Sequence, residues 1–193
     1  FLRADKKRGR SRPRPFHELA LLALGLALLC GCRTEEGKRE KALSTLQVFL
    51  EVNQDAANRS RAVPIYRDHP VQINVESEPF LTQANVSEAR VVEAVGGFAI
   101  RIRLDRRGTW LLEQRTIANH GKHLAILTQF PSPKDPAVHE NRWLAAPLIS
   151  GRISDGILLF TPDATREEAT QAVLGLNNVA KKNKNTPDKQ SPT

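Results

Sequence analysis

The chain is poor in the residues that usually declare a chemistry. Methionine is absent, tyrosine occurs once, aromatic residues make up 5% of the total, and cysteine occurs only at positions 30 and 32. Two cysteines so close together cannot staple a fold, and nothing later in the chain could complete a four-thiolate metal site, so disulfide scaffolds and zinc ribbons are excluded. No Gly-x-x-x-x-Gly-Lys or Gly-x-Gly-x-x-Gly run is present, and no serine sits in a Gly-x-Ser-x-Gly elbow, which removes the common nucleotide-binding loops and the α/β-hydrolase nucleophile. Long apolar runs are also missing. The longest Leu/Ala segment, Leu19 to Leu29, has eleven residues, about half of the ~20 needed to cross hydrocarbon.

That short run is itself informative. It follows Arg3, Lys6, Lys7, Arg8, Arg10, Arg12 and Arg14 and ends in Leu29-Cys30-Gly31-Cys32, the layout of an export signal with a small residue before the cut. Cysteine directly after a small residue, with leucine at the third position before it, resembles the lipobox of bacterial lipoproteins. The resemblance implies that residues 1–31 are a removed signal peptide and that Cys32 becomes a diacylglycerol-bearing N-terminus. Cys30 fits the pattern less well because bulky Leu29 precedes it. With Phe1 in first place, the sequence is expected to lack its initiator.

Removing the signal changes the meaning of the net charge of +8. Residues 1–31 hold seven basic and two acidic side chains and contribute +5, and the segment after Ala180 contributes a further +3 from Lys181, Lys182, Lys184 and Lys189 against Asp188. The body from Arg33 to Ala180 is therefore neutral, which argues against nucleic acid as a partner. Residues 32–43, charged and almost without apolar side chains, read as a tether. Residues 181–193, polar and proline-bearing, read as a disordered lysine-rich tail. The span 44–180 is large enough to bury a core without staples.

Within that span Leu46, Val48, Leu50 and Val52 alternate with Gln47, Phe49, Glu51 and Asn53, which predicts a strand, and Val71, Ile73 and Val75 predict another. Ala89 to Val95 and Phe98 to Leu104 predict a hairpin turning at Gly96-Gly97. Asp105 is placed to cap a helix running to about His120, with Trp110, Leu111, Ile117 and Ala118 as its buried stripe and Gly121 as its stop. Lys122 to Phe130, Arg142 to Ile149 and Gly156 to Thr161 predict further strands, with a proline-rich loop from Pro131 to Asn141. Thr165-Arg-Glu-Glu168 is a capping box opening a helix whose apolar face is Ala169, Ala172, Val173, Leu176 and Ala180. This order predicts a single α+β domain, a mostly antiparallel sheet with two main helices packed on one side.

Three stretches together resemble a known family. They are Pro79-Phe-Leu-Thr-Gln-Ala-Asn-Val-Ser-Glu-Ala-Arg-Val-Val92, then Gly121-Lys-His-Leu-Ala-Ile-Leu127, and finally Ala146-Pro-Leu-Ile149 with Ile153-Ser-Asp-Gly156 and Thr165-Arg-Glu-Glu-Ala169. In this order they are similar to the periplasmic head domain of SecD, a subunit of the bacterial protein-export translocase. The membrane part of SecD, which couples proton flow to export, has no counterpart here. The resemblance implies a head domain that meets polypeptide, without assigning that contact to particular residues. Gly-Gly-Phe, Arg-Trp-Leu-Ala-Ala-Pro and Leu-Asn-Asn in these places also resemble a group of bacterial lipoproteins of unassigned activity.

Candidate chemistry is sparse. His120 and His123 are three apart, but Gly121 interrupts a helix there and no acidic or thiol ligand is close in sequence, so no metal site is expected. Ser44, Ser77, Ser87 and Ser150 lack a nucleophile's setting, and Glu167 and Glu168 lie where carboxylates favour the helix dipole. No catalytic residue and no cofactor is assigned. Both tryptophans are expected in the core; of the two, Trp143, beside a loop, is the better candidate for an exposed anchor for a partner. The sequence therefore predicts a noncatalytic protein, lipid-anchored through Cys32, facing the periplasm and binding protein or peptide. The alternatives are a small envelope hydrolase, which requires a cleft with a polar pair, and a cell-wall tether working through the lysine tail.

Overall fold

The computed structural model describes residues 42–53, 60–135 and 137–185. The chain divides into residues 1–37 and 38–193, and every described residue belongs to the second unit. Cys32, the apolar run before it, nearly all of the tether and the tail beyond Asn185 lie outside the described residues.

The elements, in chain order, are β1 (Thr45–Leu50), β2 (Ser60–Ile65), β3 (Val71–Glu76), β4 (Leu81–Thr82), a short 3-10 turn (Gln83–Asn85), β5 (Val86–Ala94), β6 (Gly97–Leu104), α1 (Arg106–Ala118), β7 (Leu124–Pro131), β8 (His139–Ala145), β9 (Ile157–Phe160) and α2 (Arg166–Asn185). All strand pairs are antiparallel. Four strands form a sheet in the order β4-β1-β7-β8, three form a second in the order β5-β6-β9, and β2 and β3 make a separate hairpin. With two main helices beside these sheets, the fold is α+β, as the sequence predicts.

The alternation in β1 explains how the layers stack. Leu46, Val48 and Leu50 point into the main core, which gathers apolar side chains from both larger sheets and both helices. Phe49 points the other way and is equally buried, joining Ala125 beneath Val63, Ile65, Ile73 and Val75 of the β2-β3 hairpin. The central sheet is thus covered on both faces. Strand β2 was not expected, because Pro64 interrupts an otherwise unremarkable run; proline is tolerated in a two-stranded ribbon, where one side of each strand needs no partner.

The β5-β6 hairpin forms as expected, with its turn one residue earlier than the glycine pair suggests. Ala94 pairs with Gly97, so the turn residues are Val95 and Gly96. Gly96 has φ +82°, and Gly97 opens β6 at φ +154°, so both glycines occupy backbone that side chains with a Cβ rarely adopt.

Helix α1 starts where Asp105 caps it: Oδ1 accepts from the Gly108 N–H at 2.6 Å. Its buried face is not the expected one. Gly108, Leu112 and Thr116 point inward, at i, i+4 and i+8, whereas Trp110, Ile117 and Ala118 are exposed and Leu111 is half-buried. Packing distance explains the correction. A Cβ at Gly108 would lie 2.9 Å from the Asn85 Cβ and 3.1 Å from the Leu104 Cβ, so only glycine lets the helix approach this closely. Thr116 enters the core because its hydroxyl is satisfied, donating to the Leu112 carbonyl at 2.9 Å and accepting from the Ile153 N–H at 3.0 Å. Leu112, fully buried, is the apolar anchor and contributes about 2 kcal/mol.

Helix α2 opens with the expected capping box. The Thr165 Oγ1 accepts from the Glu168 N–H at 3.2 Å, and the Glu168 carboxylate accepts from the Thr165 N–H at 2.7 Å. Ala169, Ala172, Gly175, Leu176 and Ala180 are buried. The helix continues through Lys181, Lys182 and Lys184 to Asn185, beyond the Ala180 boundary expected from composition, since lysine is a good helix former and its side chains face solvent here.

Candidate functional site

The polar clusters of the described body are structural. His123 and His120 serve different partners: the His123 ring Nδ1 lies 2.6 Å from Glu51 Oε2, which also accepts from the His123 N–H at 2.7 Å, while His120 Nε2 lies 2.9 Å from the Ser150 carbonyl. The Glu51 N–H donates to the His123 carbonyl at 2.9 Å, so this clasp ties the end of β1 to the start of β7. No group of three or more metal-ligating side chains occurs among the described residues. Ser87 spends its hydroxyl on the carbonyls of Arg103 and Leu104. Ser44 is buried against Gly175, where a Cβ on the helix would collide with its hydroxyl.

Glu168 is the centre of an ion network. Arg142 on β8 reaches its Oε2 at 2.9 Å and Glu140 at 3.2 Å, and Arg67, after β2, lies 3.9 Å from the same Glu168 oxygen. Arg67 is further held by Asp163, which accepts from its backbone N–H at 2.8 Å. The preceding Tyr66 has φ +68°, uncommon for a residue with a Cβ, and this left-handed step delivers Arg67 to the network. Burial pushes the Glu168 carboxyl up, but the Arg142 guanidinium, the Thr165 N–H and the charges of Arg142 and Arg67 outweigh it, leaving the group below the usual carboxylate range. Two arginines and three carboxylates are thereby locked together around α2's first turn. Glu93 is likewise held low by hydrogen bonds and charge from Arg166 on the exposed surface.

The two tryptophans differ in burial, and Trp110, expected in the core, is the exposed one. Trp143 is half-buried, its ring 5.3 Å from Phe49, and the Arg61 guanidinium stacks over both rings at 5.5 and 4.8 Å. Trp110 is 59% exposed on the outer face of α1, with Ile117 53% exposed two turns further along. On the second sheet, Leu159 of β9 is 55% exposed.

The two borders of that second sheet differ. Along β5, the Asn177 side chain of α2 acts as a substitute strand: its Oδ1 accepts from the Ala89 N–H at 2.8 Å and its Nδ2 donates to the Ala89 carbonyl at 2.9 Å. Strand β9 is the opposite border and, among the described residues, pairs with β6 alone. Gly156, immediately before β9, abuts Thr109, the neighbour of Trp110 in α1. Among the described residues, a strand border with no further strand beside it therefore begins close to an exposed tryptophan, its first N–H, of Ile157, donating to Asp155 Oδ1 at 3.0 Å. A free border offers backbone groups to an extended peptide, and exposed apolar side chains beside it offer side-chain contacts. Of these features, sequence reasoning reached Leu159 and Trp110 only as members of apolar patterns; the asparagines of Leu-Asn-Asn carried no local signal for their long-range role.

This is the architecture of an α+β module in which, among the described residues, one border of the second sheet is met by the Asn177 side chain and the other pairs with no further strand. The model of the SecDF P1 head subdomain matches residues 55–180, nearly two thirds of the chain, and the chain belongs to that family. Among solved structures it is similar to a membrane component SecDF that enhances protein export, at 18% identity over 90% of this chain and 71% of the other, with a TM-score of 0.48. It is also similar to SecDF in a super-membrane-facing form, at 17% identity over 84% of this chain and 33% of the other with TM-score 0.43, and to a translocon-associated SecDF from Thermus thermophilus, at 15% identity over 84% and 34% with TM-score 0.37. The chain spans about a third of the length of these last two. A search of curated proteins found no match. No helix among the described residues is long and apolar enough to cross a membrane.

Proposed function

We propose that the mature protein is a noncatalytic component of the bacterial envelope, anchored by lipid on Cys32, facing the periplasm, whose head domain binds polypeptide in export or envelope assembly. Membership of residues 55–180 in the SecDF P1 head family carries this reading. The relative described as enhancing protein export supplies the process, and the lipobox-like Leu29-Cys30-Gly31-Cys32 supplies the anchor. The mode of binding that the geometry supports best is strand addition at β9, with Trp110 and Leu159 as apolar contacts. Trp143 contributes less, because its ring already packs against Phe49.

Photo-crosslinking in living cells tests the binding face. A benzophenone residue placed at Trp110 or Leu159 is expected to capture secretory polypeptides during their synthesis, whereas the same group at exposed Lys134, in the β7-β8 loop, is not. Equal capture at all three positions, or at none, refutes the face. The anchor is checked separately by radioactive palmitate. Label should disappear in Cys32→Ala, and its persistence would move the assignment to Cys30.

A further inference from the structure

The start of the folded body and the lysine-bearing end of α2 are fastened side by side. The Asn178 Nδ2 donates to the Ala42 carbonyl at 2.9 Å, and two residues later the Ser44 side chain rests on Gly175. Asn178 is followed within two helical turns by Lys181, Lys182 and Lys184, all exposed. At 1.5 Å per residue, these lysines stand only about 5 to 10 Å along the axis from the point where the chain enters, while Arg166 at the other end of α2 is about 18 Å away. Nine residues separate Cys32 from Ala42, ten Cα–Cα steps, so a lipid on Cys32 cannot lie more than about 35 Å of chain from that point.

We infer that this end of α2 is a docking surface for anionic phospholipid, holding the head domain against the membrane with Lys181, Lys182 and Lys184 facing the headgroups. The inference rests on the anchored reading for its geometry, since the leash begins beside these lysines. Charge supports the choice of lipid: residues 33–180 are neutral as a whole, and the residues after Ala180 carry a net charge of +3. One cation in the last turn would satisfy the helix dipole. Lys181, Lys182 and Lys184 together exceed that need and suit a charged plane. Docked in this way, the domain would turn the opposite end of α2, with Glu168 and its arginine partners, away from the bilayer.

Sedimentation with vesicles tests the surface without the lipid. The mature chain from residue 32 to residue 193 carrying Cys32→Ser is mixed with phosphatidylcholine vesicles, with or without about 30% phosphatidylglycerol. Binding is expected only with phosphatidylglycerol and should be released at about 0.5 M salt, where screening shortens the reach of the charges. Each lysine near an anionic surface contributes about fivefold, so the triple variant Lys181→Gln, Lys182→Gln, Lys184→Gln should lower partitioning about a hundredfold with an unchanged thermal melt. A triple variant that binds like the parent overturns the inference. So does parent that binds both vesicle types equally, or that sediments with purified peptidoglycan and not with phosphatidylglycerol vesicles. Palmitate labelling fails independently of this result: loss of the anchor with vesicle binding intact leaves the lipid surface standing, and retained anchor without vesicle binding removes the surface alone.

Discussion

Replacing Asn177 by alanine should weaken the domain far more than its half-exposed side chain suggests. The carboxamide is the sole partner, among the described hydrogen bonds, of both the N–H and the carbonyl of Ala89, and Ala89 is 1% exposed. Truncation leaves a buried donor and a buried acceptor without partners, and each such group costs about 1 to 3 kcal/mol. A water entering the vacated space would recover part of this, so a net loss of about 2 to 4 kcal/mol is expected. For a domain of this size, 1 kcal/mol moves the melting temperature by roughly 2 to 4 °C, giving a fall of about 5 to 15 °C. Circular dichroism gives the melt, and amide exchange at Ala89 reports the site itself, since that N–H should pass from slow to fast exchange. Asn177→Asp separates the two bonds: its carboxylate still accepts from the N–H but faces the Ala89 carbonyl. That contact raises the aspartate's folded pKa, so the variant should be most stable at low pH and weaken as pH rises through that value. A fall below about 2 °C in Asn177→Ala, with the Ala89 amide still protected, would refute the idea that α2 seals this sheet border.

Two further outcomes follow from the turn and the ion network. Gly96→Val with Gly97→Val should destabilise the fold by about 1 kcal/mol or more per position, because nothing crowds either site and the cost is wholly the positive φ; Gly151→Val, which meets open space without positive φ, is the control, and equal melts for the two variants would reject the turn assignment. Glu168→Gln, which still offers a side-chain acceptor to the Thr165 N–H, should cost about 1 to 3 kcal/mol near pH 7 through loss of the carboxylate charge between Arg142 and Arg67. Since the folded pKa of Glu168 is depressed, its stabilisation is present above the ordinary carboxylate value of about 4.3 and fades as pH falls through the depressed one. The gap between variant and parent should therefore close in acid, and a gap of equal size at pH 7 and in acid would reject the account.

The fold class was legible because its signals are local and periodic. Alternation in β1 and β3, the cap at Asp105 and the box at Thr165 to Glu168 each read out over a few residues, and each is present. What escaped depends on partners far along the chain. Strand β2 looks irregular until Val63 meets Ile73, and Asn177 looks like any helix asparagine until β5 arrives 88 residues away. Sequence periodicity also carries no sign of how close two elements come. Gly108 and Thr116 line the inner face of α1 because of a close approach and a satisfied hydroxyl, neither of which a hydrophobicity pattern can register.

The exposure of Trp110 follows from that same rotation of α1. Had the helix buried its bulkiest residues, Trp110 would have held it away from β6 and the Asn85 turn, and the close contact at Gly108 would be lost. Turning Gly108, Leu112 and Thr116 inward instead brings α1 near, at the cost of leaving Trp110 and Ile117 in water. Trp143, by contrast, sits over Phe49 where the β2-β3 hairpin and Arg61 complete a second small core. Exposure of a large aromatic side chain forfeits burial worth about 2 to 3 kcal/mol, so the position of Trp110 near the β9 border is the feature on which the proposed binding face rests most.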